Sequence, residues 1–245
     1  MQTVPEGKIY FASGKSRSGK SEYISQLIKD KRRLLIWDKK GEHQADIQVG
    51  TIDELKLVIE KYQEKAGRIA LVRAPIEAFE EFCACAFRWA CYGYVSNYAS
   101  AVFVEELGRV TGPAKASPMW GQLVSEGLVY GLSIYAVAQR PAEIDKTILG
   151  QASFVHCCKM TWEQDERYIA GLMRVPIEVV TGLQVVHEND DGSGHLRVSE
   201  YLERNIDTGV THKGQLTFEN NKPVFKEVPL SNPGKSPEIP ESNLP

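Results

Sequence analysis

A mainly parallel α/β sheet flanked by helices is the architecture this 245-residue sequence predicts, and three observations predict it. Short apolar runs of strand length alternate with segments of helical periodicity over residues 1–185, which is the pattern of strand-helix-strand units in a parallel sheet. Several of those runs stop abruptly on polar or charged residues, at the strand ends where ligands of such sheets sit. From about His187 the pattern changes to turn-rich β stretches, "HENDDGSGHLRVSEY" and "GQLTFENNKPVFKEV". The expected organisation is a core over 1–185, a small β-rich appendage of the same domain over 186–228, and an irregular tail over 229–245. That tail is rich in proline and serine and poor in core formers, so it is expected to be disordered or to pack only against a partner.

The elements follow in order. "KIYFAS" is a strand, and "SEYISQLIKDK" places Tyr23, Ile24, Leu27 and Ile28 on one helical face. "RRLLIWD" is a buried strand closed by the turn signal "KKGE". Thr51 with Glu54 three residues on makes a capping box that opens an amphipathic helix through Lys65. "RIALVRAP" is a strand, "IEAFEEFCACAFRWACYGYVSN" a helix, and "ASAVFVEE" a buried strand ending in two carboxylates. A loop, "GRVTGPAKASP", leads to the helix "MWGQLVSEGLVYG" and the strand "LSIYAVAQRP". A short helix in "EIDKTILGQ", a strand in "ASFVHCCKM" and a helix in "WEQDERYIAGLM" complete the core.

Composition narrows the class. A net charge of −3 gives no general basic field, so a nucleic-acid partner would have to be met by a local patch or a shared channel. Cys83, Cys85, Cys91, Cys157 and Cys158 form no C-x-x-C pair, and the reading is reduced core thiols of an intracellular protein. No run of about 18 uncharged apolar residues occurs, so no stable membrane span is expected.

The chemistry starts in "FASGKSRSGKSEYI", which matches G-x-x-x-x-G-K-[ST] at Gly14, Gly19, Lys20 and Ser21, between a strand and a helix. The glycines let the backbone turn so that its N–H groups, including those of Lys15, Ser16, Arg17 and Ser18, face phosphates at a helix N-terminus. Lys20 supplies a point charge to the β and γ phosphates of ATP, and Ser21 offers a hydroxyl to Mg2+. In "AVFVEE", Glu105 is placed as the carboxylate on the metal side, acting through the ion's water shell, and Glu106 as the base that polarises water. Glutamate at the first position departs from the commoner aspartate. Gln139, ending the next strand, would contact the γ phosphate or the water, or be only a polar turn residue.

Together "GKSRSGKS", "LLIWDKKGEH", "VFVEE" and "AVAQRPAEIDKTILGQAS" resemble the FtsK and HerA superfamily of DNA-pumping ATPases, over about residues 8 to 175. The version here is similar to the small genome-packaging ATPases of tailless, membrane-containing viruses. The resemblance implies a RecA-like P-loop fold and a homo-oligomeric ring, usually a hexamer, with ATP between subunits and double-stranded DNA through the centre. A capsid vertex is a further partner, and the host cytoplasm or the virion the location. Many relatives carry E-G-R before the Q-R-P strand; this chain reads "SEGLVYG", with Leu128 in place of that arginine. Arg73, at a strand end, is the first substitute, against its reading as an ordinary strand-end cation; Arg109, Arg140 and Arg88 follow. The loop with Arg109 and Lys115 is the candidate DNA contact, or simply solvated. Alternative functions are a filamentous-phage assembly ATPase of the Zot type, which normally has a membrane span, and a non-motor nucleotide kinase, which would want an arginine-rich lid.

Overall fold

The structure, a computed structural model, describes residues 4–113, 116–189 and 194–230. Strands β1 (Ile9–Ser13), β2 (Arg33–Asp38), β3 (Ile47–Val49), β4 (Gly67–Val72), β5 (Ser100–Val104), β6 (Leu132–Ala138) and β7 (Phe154–Cys158) pair in parallel in the order β7-β1-β6-β5-β2-β4-β3. Central strands buried on both faces must be apolar nearly throughout, and β1, β2, β5 and β6 are. The helices are α1 (Lys20–Ile28), α2 (Ile52–Lys61), α3 (Phe79–Val95), α4 (Pro118–Glu126), α5 (Lys146–Gly150), α6 (Glu163–Met173) and α7 (Ile177–Thr181).

The sheet separates two layers of core. One gathers Trp37, Phe79, Phe82, Trp89 and Trp120 under α2 to α6; the other packs Tyr23, Ile24 and Ile28 of α1 on Ile36, Phe103 and Tyr135. The Thr51 capping box is formed, with Glu54 N–H donating to Thr51 Oγ1 and Thr51 N–H to Glu54 Oε2. The buried start of β2 is more polar than its sequence suggests. Arg33 is 2% exposed, lies 3.5 Å over the Trp89 ring, and donates to Ser100 Oγ and to the carbonyls of Tyr62, Lys65 and Trp89.

Two features differ from the sequence expectation. β3 was not foreseen, because three residues cannot display a period. The helices beginning near Ile76 and ending near Gly131 each carry a separate 3-10 turn, Ile76–Ala78 and Gly127–Tyr130. The C-terminal β region continues the main sheet: β9 (Leu196–Asn205) lies antiparallel on β7, followed by β10 (Thr211–Glu219) and β11 (Lys222–Val228), with β8 (Val185–His187) on β9. All five cysteines are free thiols, buried except for half-buried Cys91. No helix of the described residues is long and apolar enough to cross a membrane. Residues 231–245 of the expected tail, and Lys115, lie outside the described residues.

Candidate active site

The parallel order brings the carboxyl ends of β1, β6, β5 and β2 side by side, and the phosphate loop, Glu105, Glu106 and Gln139 hang from those ends. Between β1 and α1 the loop takes left-handed backbone at Gly14 (φ 147), Arg17 (φ 59) and Gly19 (φ 90). Glycine is required twice for space as well: a Cβ on Gly14 would lie 2.8 Å from Cys158 Cβ, and one on Gly19 2.7 Å from Leu216 Cδ2. The loop is closed by Lys15 N–H donating to Lys159 O at 2.7 Å, and by Ser18 Oγ and Lys20 Nζ both donating to Lys15 O, at 2.8 and 2.5 Å. Gly19 caps α1 without a side chain, leaving first-turn N–H groups for an anion. Lys20 is 6% exposed, and burial lowers its pKa to about 8. It pairs with no carboxylate among the described residues, and a buried ammonium so placed favours an anionic partner.

From β9 and β8 come braces the sequence did not disclose. Ser199 Oγ donates to Ser18 O at 2.7 Å, and His187 Nε2 lies 3.1 Å from Arg17 O. Both reach the loop across more than 160 residues of chain, so no local pattern could have marked them.

The acidic side is built from β5 and the turn after β2. Asp38 ends β2 and spends its carboxylate on that turn, Oδ1 accepting from Lys40, Gly41 and Glu42 N–H and Oδ2 from His43 N–H. The turn so fixed carries Lys40 Nζ to 3.3 Å from Glu105 Oε1 and 3.4 Å from Glu106 Oε1. Lys40 therefore bridges the two acids. Partial burial opposes its charge, but the two carboxylates outweigh that and raise its pKa. Glu105 is 6% exposed; burial would raise its pKa, but His43, with Nε2 3.7 Å from Oε2, and Lys40 together hold it below the usual range. Glu106 adopts left-handed backbone (φ 53), which turns the chain into Leu107–Arg109, and its Oε2 is met by Arg109 Nε at 2.5 Å.

Ser16, Arg17, Lys20, Ser21, Lys40, Glu105, Glu106 and Gln139 line one cavity of about 430 Å³. The phosphate-loop residues, the acid pair and the amide are thus brought together. Arg73 is not among them. Its backbone is left-handed (φ 55), its Nε donates to Lys40 O at 3.2 Å, and its guanidinium packs on Gly41, so within its own chain it supports the Lys40 turn. Arg109 and Arg140 border the cavity but are engaged, Arg109 with Glu106 and Arg140 with Asp165 and Glu143. Arg88 lies elsewhere, paired with Glu60 on the α3 surface. Leu128 is half-buried against the core, and its carbonyl accepts from Gly7 N–H.

The residues present fit a magnesium ion. Glu105 and Ser21 both line the cavity and bring a carboxylate and a hydroxyl, the hard oxygen donors magnesium takes, while Glu105 Oε2 faces His43 Nε2 and accepts no hydrogen bond among the described residues. Asp38, His43 and Glu105 also cluster at metal-ligand spacing, but Asp38 is fully spent on backbone N–H groups, so that trio organises the turn. Lys40 and His43 sit in a stretch whose family likeness was legible, "DKKGEH", but their contact with the acids depends on β2 lying beside β5.

No protein-family model matches the chain. Among solved structures, the genome packaging NTPase B204 of Sulfolobus turreted icosahedral virus 2, in complex with ATP-gammaS, superposes with a TM-score of 0.62 at 14% identity, covering 84% of this chain and 96% of that one. The chain has the fold of that packaging NTPase. Its counterpart from Sulfolobus Turreted Icosahedral Virus, described as a DNA-packaging ATPase, gives a TM-score of 0.55 at 14% identity over 86% of this chain and 98% of the other. Among curated proteins, Protein P9 of Pseudoalteromonas phage PM2 is 38% identical over 146 residues, 59% of this chain. The match spans 65% of that relative's length. The fold class read from the sequence, a P-loop NTPase sheet with a C-terminal β-rich part, is the fold observed, and so is the likeness to viral packaging NTPases.

Proposed function

We propose that the chain is an ATP-driven double-stranded DNA translocase that packages a viral genome into a preformed capsid. The observation that carries the reading is the single cavity in which Lys20, Ser21, Glu105, Glu106 and Gln139 converge at the ends of β1, β5 and β6. In this reading the loop N–H groups and Lys20 hold the β and γ phosphates of ATP. Ser21 and Glu105 would hold Mg2+, which would offset charge on the phosphate oxygens. Glu106 takes a proton from the attacking water as its oxygen bonds to the γ phosphorus and the bond to the β–γ bridging oxygen breaks, leaving ADP and phosphate. Gln139 orients that water. Lys40 shields the two carboxylates from each other until nucleotide arrives.

A ring of such chains, read as a hexamer, places DNA in a central channel, with capsid vertex proteins as a further partner. The cation that the absent E-G-R arginine would have supplied then comes from Arg73 of a neighbouring chain. Two variants separate these roles. Glu106→Gln lowers kcat by about 10²-fold or more with ATP binding retained. Arg73→Ala lowers DNA-stimulated hydrolysis only when rings form, and mixing Arg73→Ala with Lys20→Ala chains restores part of it if the arginine acts between subunits. The decisive experiment measures ATP hydrolysis with and without duplex DNA, together with mass in solution on ATP analogue and DNA. Magnesium-dependent turnover stimulated by duplex, from an oligomer, is expected; turnover indifferent to DNA and to empty capsids from a monomer overturns the proposal.

A further inference from the structure

A second and larger cavity, of about 790 Å³, also borders the phosphate loop, and neither the acid pair nor Gln139 lines it. Arg17, Lys20 and Ser21 line both cavities, so the two flank the same stretch of the loop. Its far wall is the C-terminal sheet: His195 and Arg197 from the start of β9, and Phe218 from β10. Its volume falls in the range of small-molecule pockets.

We propose that this cavity binds the nucleoside half of ATP, with the base stacked on Phe218 and with His195 and Arg197 as donors around the ribose and α phosphate. The inference rests on the nucleotide reading above and assigns the C-terminal sheet a role in it. The polarity follows from the page. The acid pair and Gln139 line only the smaller cavity, so the γ phosphate must lie there, and a triphosphate threaded over the loop delivers its nucleoside into the larger one. Leu216, two residues before Phe218 and so on the same face of β10, is the residue pressed against Gly19. Phe218 is the next side chain outward along that face, half-buried, and stacks on no other ring among the described residues. An aromatic face left unpaired beside a phosphate site is suited to a base, and such stacking tolerates any base. Arg197 and His195 line the cavity and form no ion pair among the described residues. Glu22, Glu188, His187 and Asn221 are further polar residues of the wall.

The test uses the full chain, with a fluorescent ATP analogue displaced by ATP, by ADP and by inorganic tripolyphosphate. Phe218→Ala is expected to weaken ATP and ADP about tenfold and to leave tripolyphosphate competition unchanged. Phe218→Tyr is expected to bind as the unaltered chain does. Should the alanine variant not fold, Phe218→Leu keeps the apolar bulk, removes the stacking face and is expected to show the same selective loss. Equal weakening of tripolyphosphate and ATP, or no weakening of either, overturns the inference. If instead the unaltered chain fails to bind ATP, or Lys20→Ala binds it as well as the unaltered chain, the nucleotide reading itself fails, an outcome separate from an unaffected Phe218 variant.

Discussion

Gly19 concentrates the constraints of the site in one residue. Its φ of 90° is disfavoured for any residue with a Cβ, and the space a Cβ would take is occupied by Leu216, itself 1% exposed. Gly19→Ala is therefore expected to cost about 1–2 kcal/mol from the backbone alone, more from displacing Leu216, and to remove ATP binding by moving the loop N–H groups. Urea unfolding and nucleotide titration read the two effects; an alanine variant with unchanged midpoint and affinity would show that neither constraint operates. Strained backbone recurs around the same site. Arg17, Arg73 and Glu106 all take positive φ without being glycine, at the phosphate loop, behind the Lys40 turn and at the proposed base. Each is held by contacts: Arg17 through its carbonyl near His187, Arg73 by Lys40 O, and Glu106 by Arg109 and Lys40.

At the scale of elements, the seam between β7 and β9 joins the parallel core to the antiparallel C-terminal strands, and it contains charge. His156 of β7 is 1% exposed, stacks on Tyr23 at 3.8 Å, lies 3.4 Å from Cys158 Sγ, and pairs across the seam with Glu203 of β9 at 3.6 Å. Burial alone would lower the His156 pKa, but Cys158 and Glu203 outweigh it and raise it above 6.5; burial would raise that of Glu203, but His156 and Tyr23 outweigh it and lower it below 4.5. The signs fix the pH dependence. The imidazolium contributes stability that is full below 6.5 and is lost as pH rises through the raised folded value. The carboxylate contributes stability present above 4.5 and lost as pH falls through its depressed folded value. Thermal midpoints measured across pH should thus fall on the alkaline side as His156 deprotonates, and His156→Gln should flatten that limb; an unchanged limb would mean the seam does not hold this charge. Why this seam escaped the sequence is physical. "ASFVHCCKM" announces a strand by its apolar content, but which face of a strand meets which neighbour is decided by pairing with residues some 45 positions away. Arg33 escaped for the related reason that a charged first residue resembles a solvated strand end, whereas here four acceptors and an indole enclose it.

At the scale of the whole molecule, the parts of the site legible in sequence are those whose constraint is local. Loop spacing from Gly14 to Ser21 and carboxylates at a strand end each record a backbone geometry within a few residues. Lys40, His43, Ser199 and His187 reach the site through strand order and through a sheet edge, which spacing does not encode. The boundary near residue 185 is the sharpest instance. A change of pattern there suggested an appendage of the same domain, and that reading can be carried to a prediction. Cutting the chain after residue 185 removes the Ser199 bond to the loop, strips Leu216 from Gly19, uncovers Cys157 and Cys158, and turns β7 into an open edge. The intact chain is expected to unfold in one cooperative transition, and the chain ending at residue 185 to aggregate or to unfold without cooperativity, with no measurable ATP binding. If the shortened chain instead melts cooperatively and binds ATP with intact affinity, the C-terminal strands are a separable addition, and the phosphate loop holds its shape without the brace that Ser199, His187 and Leu216 provide.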